Sequence, residues 1–235
     1  LPPFKHLILD EAHHLEDAAT NALSVRISRA GLLKQLSRLA PSGKRAGLLT
    51  VLNNKVAKGL PEELDGLYQE FSALVESLLL PLVSKLAGQI DQDMDWLALS
   101  MQTELLHGDD KRGGELKRRI TPLVQSTPFW YGLISRLEAL KLQLQELVDG
   151  LGALDRVAVK MPDSLLQGLN GLLTDTAGIA LRMSAVIHDL SWFCGDDPMT
   201  CRWLEVRQTR RGSQASICIA PLEVAEAIKS SLFDP

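Results

Sequence analysis

Apolar residues along much of this chain recur at alternating spacings of three and four, the signature of helices that bury one face. Leu133, Leu137, Leu140, Leu144, Leu147, Leu151 and Leu154 hold that rhythm across three heptads, with Gly150 and Gly152 weakening the final turn. After Pro162 a second series runs Leu166, Leu169, Leu173, Thr176, Ala180, Met183, Ile187 and Leu190. Two such seams joined by a short Gly- and Pro-containing link predict an antiparallel helical hairpin inside a bundle. Earlier, Leu67, Phe71, Leu74 and Leu78 form a stripe that Pro81 should end or kink. Ser28 is placed to cap a helix carrying Leu32, Leu33, Leu36 and Leu39, closed by Pro41-Ser42-Gly43.

The period changes to two near the ends. Lys5 to Leu9, after Pro2-Pro3 and before an acidic cluster, suits a buried strand, and Leu23 to Ser28 suits a strand or an extended linker. Arg202 to Val206 and Ala215 to Ile219 flank Arg210-Arg211-Gly212-Ser213, which predicts a β-hairpin. From Pro221-Leu222-Glu223 a last helix is expected to about Leu232. A lone hairpin plus one strand makes a poor sheet, so its partner strands are expected outside this chain. The fold class expected is therefore mainly α: a helical bundle over about 20–195, with an N-terminal strand in 1–19 and a hairpin plus helix in 196–235 returning to an incomplete α/β domain.

Composition agrees with helices packed on helices: of 235 residues, 46% are hydrophobic but only 5% aromatic. A net charge of −4 argues against a uniformly basic coat. Cys194, Cys201 and Cys218 form no C-x-x-C and cannot all pair, so a reducing cytoplasm is the expected location. No stretch of about 18 uninterrupted apolar residues exists and no signal-peptide layout opens the chain, so no membrane partner is expected. The chain begins at Leu1 and stops just after an apolar run, and is expected to be a piece of something longer.

Chemistry concentrates at Asp10-Glu11-Ala12-His13, directly after Leu7-Ile8-Leu9. Two adjacent carboxylates at the carboxyl edge of a buried strand are a Walker B layout: the first holds magnesium through water and the second orients the attacking water. Four specified residues match by chance on the order of once in a thousand chains of this length, from roughly 5% average usage each. The plain alternative is a solvated acidic helix start with Asp10 as its cap.

The run Leu7-Ile8-Leu9-Asp10-Glu11-Ala12-His13-His14-Leu15-Glu16-Asp17 resembles motif II of the DinG/XPD-type superfamily 2 DNA helicases, including a His-Leu-Glu tail that generic DEAH proteins lack. At the other end Trp203-Leu204-Glu205, Ala220-Pro221-Leu222-Glu223-Val224 and Leu232-Phe233 resemble the segment preceding that family's Thr-Ser-Ala-Thr motif. The resemblance covers about 50 residues at the ends; the middle agrees with the family's helical Arch domain in length, character and position. It implies that Asp10 contacts Mg-ATP, that Glu11 polarises the hydrolytic water, and that His13 links the nucleotide site to a second motor domain. The parent that the resemblance implies translocates on single-stranded DNA in the 5′ to 3′ direction and unwinds forked duplex in repair or replication.

A phosphate loop of the form G-x-x-x-x-G-K-[ST] is required for this chemistry. The only Gly-Lys pair, Gly43-Lys44, is followed by Arg45, and Arg38 stands at the first glycine position. The loop is therefore expected upstream with the missing motor segments; the resemblance implies that any iron-sulfur cluster of the parent also lies upstream, and Cys194 and Cys201 lack cluster spacing. His13 and His14 match no zinc pattern. Between Asp17 and Glu62 there is no acid, while Arg26, Arg29, Lys34, Arg38, Lys44, Arg45, Lys55 and Lys58 supply eight positive charges. Glu62 to Glu104 holds nine acids against Lys85 alone. Lys34, Arg38, Lys44 and Arg45 are the DNA-contact candidates, with a solvated helix face as the rival. Lys111, Arg112, Lys117, Arg118 and Arg119 read as a loop and exposed helix start, and no aromatic residue is interleaved with either cluster. A reading from another class is a non-enzymatic helical module that binds a protein partner through its leucine seams.

Overall fold

The computed structural model describes residues 10–41, 46–104, 111–112, 115–209 and 212–229. The strand expected at Lys5 to Leu9 lies outside them, as does the end of the last helix beyond residue 229. From a 3-10 turn at Ala12–His14 the chain enters α1 (Leu15–Leu23), β1 (Val25–Ser28), α2 (Arg29–Leu39) and α3 (Leu48–Gly59). It continues through α4 (Asp65–Ala73), a π-helical turn (Leu74–Leu79) and α5 (Leu80–Glu104). Strands β2 (Lys111–Arg112) and β3 (Glu115–Arg119), the short α6 (Pro122–Gln125), α7 (Pro128–Ala158) and α8 (Asp163–Cys194) follow. The last elements among the described residues are β4 (Thr200–Thr209), β5 (Gly212–Pro221) and α9 (Ala225–Ile228).

The helical hairpin forms as the periodicity predicts. All seven leucines of the α7 seam, from Leu133 to Leu154, are buried. On α8, Leu169, Leu173, Thr176, Met183 and Leu190 are buried, with Leu166, Ala180 and Ile187 partly covered beside them. Helix α7 begins with Thr127, whose Oγ1 accepts the Trp130 N–H at 3.3 Å, followed by Pro128 where a missing N–H costs nothing. Ser28 caps α2 as expected, its Oγ accepting the Gly31 N–H at 3.2 Å.

Pro81 does not end its helix. One residue before it, the Leu80 N–H reaches back five residues to the Val75 carbonyl, closing a π turn. The wider turn absorbs the N–H that proline lacks, and the helical run continues to Glu104. This run, Glu62–Thr103, contains an 18-residue window of mean hydropathy 1.4, apolar and long enough to cross a membrane. Its Phe71, Val75, Leu79, Leu86 and Ile90 lie in the core. Gly150, read from sequence as a weak point, is where α7 meets the π turn: a Cβ there would come within 2.8 Å of Leu79 Cδ2. Helix α7 runs on past it to Ala158.

Strands β4 and β5 pair from Thr200↔Pro221 to Thr209↔Gly212, which is the predicted hairpin. Its neighbours lie within the chain rather than outside it. The sheet is antiparallel in the order β1-β5-β4-β3-β2, so Val25–Ser28 flanks β5 and the basic segment Glu115–Arg119, expected as loop and helix start, flanks β4. Alternation sorts the strands into two faces. Ile27, Leu116, Leu204, Val206, Ala215, Ile217 and Ile219 are buried on the inner face, against which α5 packs. Arg202, on the same face, is also buried: its guanidinium donates to the Phe193 carbonyl at 3.0 Å and to the Gly195 carbonyl, satisfying the C-terminal end of α8. The strand that would begin the expected incomplete α/β motor domain, Lys5 to Leu9, lies outside the described residues.

Truncating Leu144 to Ala should lower stability by about 2–5 kcal/mol, because it opens a cavity in the seam. Leu142→Ala, two residues away and 73% exposed, should change it by less than about 0.5 kcal/mol. Urea unfolding of both variants measures the difference, and equal effects would contradict this packing.

Candidate functional site

Asp10, Glu11 and His13 stand together in the turn that leads into α1. Asp10 Oδ1 accepts the Glu11 N–H at 2.9 Å, and the Glu11 carbonyl accepts the His14 N–H at 2.9 Å to close the 3-10 turn. His13 Nδ1 lies 3.3 Å from Glu11 Oε2, with both side chains about two-thirds exposed. Glu11 has φ +51°, the only positive value at a non-glycine residue among the described residues. That left-handed backbone costs roughly 1–2 kcal/mol and is imposed by the turn rather than by glycine chemistry. Glu16 and Asp17 occupy the first turn of α1, where carboxylates complement the helix dipole.

Both carboxylates of Asp10 and Glu11 are exposed oxygen donors, which suits a hydrated magnesium ion. The structure also gathers one ligand atom each from Glu11, His13 and His14 within 4.8 Å of one another, a grouping that no zinc motif signalled. All three are exposed, and the rings of His13 and His14 lie 4.0 Å apart.

The four DNA-contact candidates separate. Lys34 is exposed on α2, and Arg38, one turn along, bonds Asp175 of α8 at 3.2 Å. Lys44 and Arg45 lie outside the described residues. Among the described residues, Arg29 joins the two charge blocks seen in sequence, and other members of each pair with residues outside them. Arg29 bonds Asp91 and Asp95 of α5, both at 2.6 Å, and Arg26 pairs with the buried Glu205 of β4. The acidic stretch has a second tie. Buried Asp93 takes Arg136 of α7 at 2.8 Å, and that guanidinium lies 4.6 Å over Trp96, which stacks on Phe129.

One grouping escaped sequence reading altogether. The second basic cluster has an aromatic neighbour, supplied by another strand: Arg119 stands opposite Trp203 and Lys117 opposite Glu205. Glu205 Oε1 accepts the Trp203 indole N–H at 2.8 Å and takes Lys117 Nζ at 3.3 Å. Arg207 Nε donates to Glu115 at 2.5 Å, a bond that holds the Glu115 carboxyl below the usual range. The signal was present in the alternation of Trp203, Glu205 and Arg207 with Leu204 and Val206, but it needed the β3 register to become a surface.

No protein-family model matches this chain, and no curated protein matches it.

The three cysteines are free, with Cys218 buried and Cys194 and Cys201 half-buried. Burial pushes the Cys194 thiol up to about 11 and raises Cys218 in the same direction. Both should remain thiols at pH 8 and react with a disulfide reagent only after denaturant is added. Rapid modification of Cys194 in the native protein, read by mass spectrometry of its peptide, would contradict this environment.

Proposed function

We propose that this chain is part of an ATP-dependent DNA helicase of the DinG/XPD type, spanning its DEAH box and an Arch-like helical domain, and acting in the cytoplasm. The observation that carries the reading is the Asp10-Glu11-Ala12-His13 sequence in a turn that keeps Asp10, Glu11 and His13 side by side and exposed. The strained backbone at Glu11 supports it, since such conformations gather at functional sites. The mainly helical body between the ends supports the Arch assignment.

In this reading Asp10 holds magnesium through water and Glu11 orients the attacking water and takes its proton. Bound Mg-ATP supplies the phosphoanhydride to be cleaved and the cation that neutralises its charge. His13, in contact with the Glu11 carboxylate, passes the state of the nucleotide site to a second motor domain. Single-stranded or forked DNA is the partner, and Lys34 and Arg38 remain contact candidates on α2. An iron-sulfur cluster, if the parent has one, is not held by this chain's cysteines. The alternative of a partner-binding helical module loses its main surface, because the leucines of both seams face the interior.

In the intact protein Glu11→Gln should retain ATP and DNA binding while hydrolysis falls by at least about 100-fold, because an amide occupies the site but cannot act as a base. Phosphate release beside filter binding tests this, and normal hydrolysis would remove the catalytic role from Glu11. The 235-residue chain alone, without a phosphate loop, should show no saturable heat on titration with Mg-ATP.

A further inference from the structure

The sheet turns one face to the helices and carries a different chemistry on the other. The register lays this outer face out in rows. Arg26, Cys218, Trp203 and Arg119 form one row across β1, β5, β4 and β3. Ser28, Ser216, Glu205 and Lys117 form the next, and Gln214, Arg207 and Glu115 a third. Four cations therefore share this face with two carboxylates, and those carboxylates hold the cations in place: Glu205 meets Arg26 and Lys117, and Glu115 meets Arg207. The result is a fixed array with a net positive charge on a chain whose overall charge is −4.

Two hollows flank Glu205. One, of about 410 Å³, lies at the edge of β5 beside α2, between Arg26, Ser28, Arg207 and Gln214 of the strands and Arg29 and Leu33 of α2. The second, shallower and of about 640 Å³, is lined by Lys117, Arg119, Thr121, Cys201 and Trp203 among others. Trp203 is half-buried, and its ring is held in position by the indole N–H bond to Glu205. Four strands about 4.8 Å apart place the two hollows within some 15 Å of each other, a span of a few nucleotides.

We propose that this outer sheet face binds a single-stranded nucleic-acid segment, with phosphates at Arg26 and Arg207 on one side and at Lys117 and Arg119 on the other, and a base against Trp203. Cations that follow a backbone beside a fixed aromatic ring are the two elements of a single-strand platform. A duplex would engage the cations but has no free base face for the indole, and an acidic peptide would leave the indole without a role. The proposal names a surface for the single strand invoked above. Its test does not pass through ATP, so it can fail while the DEAH reading stands, and the reverse.

The experiment is fluorescence anisotropy of a labelled dT15 oligonucleotide with the 235-residue chain between 50 and 200 mM salt, beside tryptophan emission. The unaltered chain should bind saturably and its emission should be quenched. Reversing Lys117 and Arg119 together to Glu should weaken binding at least tenfold and reduce the salt slope by about 1.4, from about 0.7 per phosphate contact. Lys85→Glu, an exposed reversal on α5, controls for total charge and should leave the slope unchanged. Trp203→Leu should weaken binding about 5- to 100-fold. Because this ring is half-buried, Trp203→Phe is the companion variant: it should bind within a few-fold of the original while the quenching disappears. Absence of saturable binding, an unchanged slope in the Lys117/Arg119 variant, or quenching that survives in Trp203→Phe would overturn the proposal. Equal binding of polyglutamate without quenching would overturn it in favour of an acidic-protein surface.

Discussion

Burial of the α7 leucine seam is the constraint on which the rest of this molecule depends. Leu133 to Leu154 present one continuous apolar edge, and each fully buried leucine contributes roughly 1.5–3 kcal/mol before conformational entropy is subtracted. A 31-residue helix extends about 46 Å, too long to be covered by one short neighbour. Helix α8 covers it along one side, and the run through α4, the π turn and α5 covers it along another. The π turn and Gly150 belong to the same solution. The turn carries the chain past Pro81 without breaking the helix, and the missing Cβ at 150 lets α7 close onto Leu79 at that point.

Polar contacts then fix how the surrounding elements sit on that apolar frame. The basic residues of β1 and α2 meet acids of α5, α8 and β4, and Asp93 anchors Arg136 beside the Trp96 and Phe129 stack. A buried carboxylate such as Asp93 or Glu205 is costly unless paired, so these contacts give register and orientation more than net stability. Arg29 thereby ties the basic block to the acidic one, while Arg26 and Arg38 draw on acids elsewhere in the chain. The sheet's outer face differs, since there cations outnumber carboxylates.

Elements governed by local period were legible in the sequence: the α7 and α8 seams, the Ser28 cap and the β4–β5 hairpin all form where the pattern placed them. What was not legible depends on distant pairing. Strand β3 is so rich in Lys and Arg that its alternation reads as a charged loop, and it becomes a strand because Leu116 has an inner face to enter beside Leu204 and Val206. Strand β1 is only four residues long, too short to declare its neighbour. Of the candidate site, Asp10, Glu11 and His13 stood out by residue type and adjacency, whereas the Glu11 backbone conformation is set by the turn and leaves no mark in composition. Trp203 reads in the sequence as a strand residue and as part of the C-terminal resemblance but not as the neighbour of cations, because Lys117 and Arg119 lie more than eighty positions earlier in the chain.

The strand order has a kinetic consequence. Val25 pairs with Ile219 and Arg119 with Trp203, so closing this sheet means joining segments from the two ends and the middle of the chain, whereas α7 and α8 meet through a four-residue link. Contacts between remote segments carry the larger loop-closure entropy and form more slowly. The hairpin of helices is thus the natural early nucleus, and the sheet a late addition assembled upon it. Its outer surface reports on the finished molecule: chains with every helix in place but the strands unjoined would match native chains in helical content and still lack that face.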